Sequence, residues 1–235
     1  MSQLQRIAIA PHQLQKAQIL LTPQQLHYLG RVLRLQEGDR FIAMDGIGKW
    51  WLAQLVGAQG QVLESLTVET ELPISITLIM ALPKGNGFDD VVRCCTELGV
   101  TCIAPVLSDR TLLHPSPQKL ERWRRIAAEA AEQSERAFVP TILEPVAFSA
   151  VVSAGVGTHH YICEARGEYP HLSKVIDIVA REIAIAIGPE GGWTEKEIEN
   201  AIAAGFQPVS LGRRILRAVT APVVAISLVA AACEV

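Results

Sequence analysis

From Ile74 onward, short apolar runs alternate with helical stretches, and this pattern limits the possible folds more than any other feature of the chain. ITLIMAL, TCIAPVLS, HHYICEA, EIAIAIG and FQPVSLG carry almost no polar residue. A strand with one wet face alternates apolar and polar side chains, whereas a strand covered on both faces reads as a continuous apolar run. The segments between these runs are helical in pattern. FDDVVRCCTELG ends at Gly99, a natural C-cap. Residues 120–137, LERWRRIAAEAAEQSERA, place Leu120, Trp123, Ala127, Ala130 and Ser134 on one face, with Glu121–Arg125 and Glu132–Arg136 as i,i+4 pairs on the other. The expected architecture is α/β: a mainly parallel sheet flanked by helices.

The first part of the chain has a different rhythm. FIAMDG, KWWLAQLV and QVLESLTVET alternate around turn residues, the last two separated by the Gly57–Gly60 turn. One helix interrupts them, opened by Thr22-Pro23-Gln24-Gln25 as N-cap, N1 proline and capping-box glutamine, and running to about Val32. Glu69 to Pro73 marks a boundary, because a residue before proline is pushed toward extended geometry. The expected domains are therefore 1–70, a small strand-rich unit, and 71–235, the α/β unit.

Composition excludes several classes. Of the 235 residues 49% are hydrophobic, which excludes a disordered chain. Charged residues reach only 19%, which points to surface hidden in an oligomer. The net charge of -3 gives no global attraction to nucleic acid, so such binding has to come from local arginine clusters. Five cysteines with no C-x-x-C pair fit free thiols in a reducing cytoplasm, and Cys94 and Cys95 fall within a helix as buried thiols. The start has no secretory pattern. Ala218 to Cys233 is uncharged but only 16 residues long and contains Pro222, so it is expected to be a buried helix and not a membrane span.

Two loops stand out at what should be the carboxyl edge of the sheet, where open α/β sheets bind ligands. One is IAIAIGPEGGWTEKE (183–197), in which Thr194 and Glu197 have capping-box spacing. A helix N-terminus attracts phosphate, but Glu190 in the middle of the loop would repel it. A neutral or cationic ligand gripped by peptide N–H and C=O groups fits better than a nucleotide triphosphate. Loop composition alone favours a plain turn. G-x-G-x-x-G and G-x-x-x-x-G-K-[ST] are both absent, since Lys84 precedes its glycines. His159, His160 and Cys163 point to alternate faces of a strand, so no metal is expected. There is no G-x-S-x-G elbow. The other loop holds Arg213, Arg214 and Arg217, which are badly placed for packing and well placed for an anionic substrate, whereas Arg122, Arg124 and Arg125 read as a solvated helix face.

Five blocks in order, RVLRLQEGDRFIAMDG (31–46), LPKGNGFDDVVRCCTELGV (82–100), RWRRIAAEAAEQSERAFVP (122–140), IGPEGGWTEKEIE (187–199) and LGRRILRAVTA (211–221), resemble the ribosomal RNA small subunit methyltransferase E family of the SPOUT superfamily. The resemblance implies a PUA-like N-terminal barrel that binds RNA and a catalytic domain tied in a trefoil knot, a rare exception to ordinary chain topology. It implies S-adenosylmethionine as cofactor, a homodimer in the cytoplasm, and methylation of N3 of one uridine of 16S ribosomal RNA (uridine 1498 in the family's naming), in the small subunit or a late precursor. Carried over by position, the cofactor residues are Cys163, Glu164 and Ala165; Gly188, Pro189, Glu190, Gly191 and Gly192; and Leu211, Gly212, Ile215, Leu216 and Thr220. For catalysis the candidates are Arg217, with Arg214 and Arg6 in reserve, and Glu190, whose part as proton acceptor stays open. For RNA docking they are Arg6, Arg31, Arg34, Lys84, Arg110 and Arg136. The family commonly has I-L-R-x-E-T-A where this chain has Val219 in the glutamate position, and Pro222 replaces a small helix former. A competing reading follows from Val219: a non-catalytic RNA-binding relative. A dehydrogenase-like enzyme would need the absent glycine fingerprint.

Overall fold

The computed structural model describes residues 4–112, 115–154 and 159–234. They pack as two compact units, one comprising the residues up to Glu71 together with Ala128–Val139, the other Leu72–Ala127 together with the chain from Pro140 onward.

The first unit is a curled six-stranded sheet of β1 (Arg6–Ala8), β2 (Leu14–Gln15), β3 (Gln18–Leu20), β4 (Arg40–Met44), β5 (Trp50–Val56) and β6 (Gln59–Leu66), in the order β1-β4-β5-β6-β3-β2. Every pairing is antiparallel except β1 with β4. A register shift between Leu52 and Ala53 bends β5 and helps the sheet close on its core. Ile19, Leu29, Phe41, Ala43 and Ala53 are fully buried there. Gly60 admits the Phe41 ring: a Cβ on it would stand 2.8 Å from Phe41 Cζ.

The capping box forms as expected. Thr22 Oγ1 accepts from the Gln25 N–H at 3.2 Å and Gln25 Oε1 from the Thr22 N–H at 2.8 Å, opening α1 (Pro23–His27). The helix does not continue regularly to Val32. It widens into a turn in which the Leu33 N–H reaches back five residues to the Tyr28 carbonyl at 2.9 Å, and Arg34, at φ +60°, ends it.

The second unit is the α/β layer structure. Its sheet comprises β7 (Ser75–Ala81), β8 (Cys102–Leu107), β9 (Thr141–Ile142), β10 (Val146–Ala147), β11 (His159–Cys163), β12 (Glu182–Ile187) and β13 (Gln207–Val209). The order is β10-β8-β7-β12-β11-β13 with β9 also on β8, and all pairings are parallel. Helices α2 (Gly87–Glu97), α4 (Phe148–Ala154), α5 (Glu195–Ala203) and α6 (Ala221–Cys233) belong to this unit, as does α3 (Pro117–Gln133) up to Ala127, its last turns being counted with the first unit. Ile76, Leu78 and Ile79 of β7 and Ile185 and Ala186 of β12 have no exposed surface, which is why those strands read as unbroken apolar runs. Gly99 caps α2 at φ +95°.

Three expectations need correction. Helix α3 stops at Gln133, not Ala137. Glu135 takes φ +61°, and the Ala137 and Phe138 N–H groups turn to Glu71 Oε1 at 2.9 and 3.2 Å. The i,i+4 pair Glu132–Arg136 gives way to longer-range partners: the Arg136 guanidinium bonds Glu71 Oε2 at 2.5 Å, and Glu132 Oε2 accepts from the Ala8 N–H at 3.0 Å. Glu121 bonds Arg124, three residues on, at 2.7 Å. Helix α6 is the expected buried helix, and among the described residues no helix is long and apolar enough to cross a membrane.

Candidate functional site

Strand register sets the site. Cys163, the last residue of β11, lies opposite Ile187 of β12 and Val209 of β13, and Ile187 lies opposite Met80 of β7. The segments leaving these strands therefore start at one level, at the carboxyl edge of the sheet. Three of them surround a pocket of about 880 Å³.

The first segment supplies Cys163, Glu164 and Ala165, as expected, and also Arg166 and Tyr169. The second supplies Gly188, Pro189, Glu190, Gly191 and Gly192, and also Trp193. The third supplies Leu211, Gly212, Arg214, Ile215, Leu216 and Arg217, followed by Val219. Thr220 does not reach the pocket, although its neighbours Val219 and Ala221 do. It sits where the chain turns into α6, its N–H bonded to the Arg217 carbonyl at 2.9 Å. Gly192 (φ +69°) and Gly212 (φ +116°) have open space where a Cβ would stand, so their peptide backbone faces the pocket unshielded.

Hydrogen bonds hold the three segments together. The Glu164 N–H reaches the Val209 carbonyl at 2.9 Å, and Ser210 exchanges bonds of 2.9 Å with Pro170 and Leu172. The glycine loop is held from three sides. Glu190 Oε1 accepts from the Lys84 backbone N–H at 2.9 Å. Arg110 Nη1 donates to the carbonyls of Gly191 at 2.5 Å and Trp193 at 3.1 Å. Beyond the loop, Thr194 and Glu197 form the expected capping box, and Glu197 Oε1 also accepts from the Asp109 N–H at 2.9 Å. Trp193 is buried and stacked on Phe148 with centroids 4.2 Å apart.

Several residues expected at the RNA have partners within the protein. Arg136 is 3% exposed and bound to Glu71, so it presents no guanidinium to a phosphate. Arg6 is paired with Glu135 at 2.8 Å and lies over the Trp50 ring. Arg110 anchors the glycine loop, and the Lys84 backbone N–H also bonds that loop while its side chain stays exposed. Arg31 and Arg34 are exposed, and among the described residues neither forms an ion pair. Arg214 and Arg217 are likewise exposed at the pocket.

Burial first, then Glu164, pushes the Cys163 thiol up to about 12, so it is no thiolate nucleophile near neutral pH. Burial, then His159, lowers His160, whose ring lies 4.9 Å from that of Phe206. Among the described residues no His, Cys, Asp or Glu cluster could hold a metal. Arg166 closes the first cofactor loop that the family resemblance implies, Cys163 to Arg166; of the residues that sequence reasoning passed over, Trp193 adjoins a loop already singled out, whereas Tyr169 carries no local signal.

A parallel sheet with a backbone-walled pocket at its carboxyl edge is a ligand-binding α/β unit, and the family matches make its class that of the RNA methyltransferases. The RNA methyltransferase domain profile matches residues 70–230, and the RNA methyltransferase PUA domain profile matches residues 21–63. The chain belongs to the ribosomal RNA small subunit methyltransferase E family. It is 50% identical to the Synechocystis sp. member in an alignment that covers 97% of this chain and 78% of that one. The Neisseria gonorrhoeae ribosomal RNA small subunit methyltransferase E, solved bound to S-adenosyl methionine, superposes with a TM-score of 0.87 at 32% identity, covering 96% of each chain. The Legionella pneumophila putative methyltransferase Lpg2936, solved with bound SAM, gives 0.88 at 29% identity over 98% of each chain.

Proposed function

We propose that this protein transfers the methyl group of S-adenosylmethionine to N3 of one uridine of 16S ribosomal RNA, uridine 1498 in the family's naming, in the small subunit or a late precursor in the cytoplasm. The observation that carries the reading is the pocket itself, three peptide loops leaving β11, β12 and β13 at one level and edged by Arg214 and Arg217. Its chemistry fits the donor. Glu164, Glu190 and Glu195 disfavour a polyphosphate but tolerate a sulfonium, and the bare backbone at Gly192 and Gly212 offers N–H and C=O groups to an adenine and a ribose. Cys163 to Ala165, Gly188 to Gly192 and Leu211 to Leu216 would hold it. When bound, the donor supplies an electrophilic methyl group on a sulfonium.

The chain's own residues have to make uracil N3 nucleophilic. As the N3 proton leaves to water or an acceptor, charge spreads onto O2 and O4 of the base. A guanidinium aimed at those oxygens stabilises it, and we assign this to Arg217, with Arg214 in support. The N3 lone pair then forms the bond to the methyl carbon while the sulfur keeps the electrons of the broken bond. Glu190 is held by the Lys84 N–H, which favours a positioning role over proton transfer. The curled unit, with exposed Arg31 and Arg34, is assigned to RNA docking.

We assign a second copy of the chain to the outer face of α6. This helix carries no charged residue, yet Val223, Val224 and Leu228 are only partly covered. The non-catalytic reading rests on Val219, which lines the pocket where the family commonly has a glutamate. Nucleoside mass spectrometry of 16S RNA from cells with and without the protein separates the two. Loss of one N3-methyluridine supports transfer, and unchanged RNA with retained RNA binding supports the non-catalytic relative. Arg217→Ala is expected to lower kcat by ~10²–10³ with S-adenosylmethionine affinity kept. Full transfer by that variant would remove Arg217 from its role.

A further inference from the structure

We infer that the segment after β11 forms a subsite for the target nucleotide of the RNA, with Tyr169 as the surface on which the displaced uracil stacks and Arg166 as the grip on a flanking phosphate. This rests on the RNA methyltransferase reading above and deepens it.

Four observations carry it. Tyr169 lines the pocket and is half-buried, and its ring rests against Gly167. The approach is so close that a Cβ at Gly167, already at φ +115°, would stand 2.7 Å from Tyr169 Cε2. The ring is thus seated on bare backbone. Next, Tyr169 is framed on its C-terminal side by the bonds from the Ser210 N–H to the Pro170 carbonyl and from the Leu172 N–H to the Ser210 carbonyl, each 2.9 Å. It therefore belongs to one frame with the loop that carries Arg214 and Arg217. Third, Arg166 is exposed at the pocket and, among the described residues, makes no ion pair, while its backbone N–H is fixed on Glu164 Oε1 at 2.7 Å. Finally, about 880 Å³ lies toward the large end of the roughly 300–1,000 Å³ of small-molecule sites, which leaves room for a nucleoside beside the methyl donor.

The chemistry follows from these positions. A uridine whose N3 is to be methylated cannot be paired through that edge, so it has to leave its stack before transfer. An unstacked base is stabilised on an aromatic or guanidinium plane, and a rigidly seated tyrosine offers such a plane at low entropic cost. The uracil, so placed, presents its O2 and O4 to Arg214 and Arg217, and its phosphate lies toward Arg166.

The test uses the full-length protein with purified small ribosomal subunits, measuring subunit affinity across a salt series and S-adenosylmethionine affinity by calorimetry. Tyr169→Ala and Tyr169→Leu, the second of which keeps apolar contact with Gly167 but removes the π-face, should each weaken subunit binding by about 5- to 150-fold. S-adenosylmethionine affinity should stay unchanged. Tyr169→Phe should recover most of the lost RNA affinity. Arg166→Ala should reduce the slope of log K against log salt by about 0.7–0.9, the effect of one phosphate. Loss of cofactor affinity with RNA binding intact would give Tyr169 to the donor and overturn the inference, as would wild-type RNA binding by Tyr169→Leu. A wild-type protein that binds subunits but transfers no methyl would instead remove the catalytic reading, leaving the subsite to be judged on binding alone.

Discussion

The Arg136–Glu71 pair separates two readings of one arginine, because a phosphate contact and a structural anchor respond oppositely to the same change. Glu71 accepts from the Arg136 guanidinium at 2.5 and 3.2 Å and from the Ala137 and Phe138 N–H groups at 2.9 and 3.2 Å. Glu71→Ala leaves a guanidinium that is 3% exposed without this carboxylate and two backbone donors without their acceptor. Breaking a buried pair costs roughly 3–5 kcal/mol. Because the Glu71 side chain is 21% exposed and water can enter after truncation, the lower end, about 3 kcal/mol, applies. For a chain of this size that corresponds to a drop of about 6–12 °C in Tm. The assay is calorimetric melting of wild type, Glu71→Ala and Glu71→Met/Arg136→Met. The double variant should recover much of the loss, since two packed apolar side chains replace a pair instead of stranding one charge. The salt slope of RNA binding should stay unchanged in the double variant. A Tm within 2 °C of wild type for Glu71→Ala, or a slope reduced by about 0.9 in the double variant, would refute the structural role and return Arg136 to the RNA surface.

Glu190→Gln keeps an oxygen for the Lys84 N–H, so it should preserve S-adenosylmethionine affinity and leave the kcat–pH profile unmoved, whereas Glu190→Ala should weaken that affinity by up to about tenfold, the value of roughly one exposed hydrogen bond to a charged group. A kcat collapse in Glu190→Gln would make it the proton acceptor. The Cys163 thiol is raised to about 12, so above pH ~9 the unfolded chain releases a proton that the folded chain keeps, and stability should fall with rising pH by up to about 1.4 kcal/mol per unit until the folded thiol ionises. Alkaline denaturation of Cys163→Ala should be correspondingly flatter, and an identical pH dependence would refute the thiol's contribution. Leu228→Glu, a charge on the partly covered face of α6, should convert a dimer to monomer in light scattering, and an unchanged mass would exclude that face as the interface.

Much of the second unit was legible because its information is local. ITLIMAL is β7 and EIAIAIG is β12, since burial on both faces leaves no choice of side-chain polarity, and Thr194–Glu197 caps α5 within one turn. Helix α4 was not legible, because its seven residues are too few to show a period between two-residue strands and the following segment. Glu132 and Arg136 have ideal pairing spacing, yet a carboxylate 65 positions away takes the arginine, as a buried site with two further backbone donors outweighs an exposed helix pair. Tyr169 gains meaning only from strand order: β13 returns beside β11, and no spacing along the chain announces that Ser210 will bond Pro170.

The glycine loop shows why the residues around a pocket need not be the ones that react. A run such as Gly-Pro-Glu-Gly-Gly has high conformational freedom when unfolded, and ordering it costs more per residue than ordering other backbone. The cost is offset by anchors from three separate strand ends: Lys84 after β7, Asp109 and Arg110 after β8, and the α5 capping box after β12. None of these anchors needs to touch a ligand to matter. Each fixes peptide N–H and C=O groups whose direction a side chain could not hold as rigidly, and a misplacement of about 1 Å in such groups can cost ~10²-fold in rate. Arg110 and Glu190 are thus charged residues whose charge is used within the protein. Charge reversal at Arg110 should therefore disturb cofactor affinity before it alters the salt dependence of RNA binding.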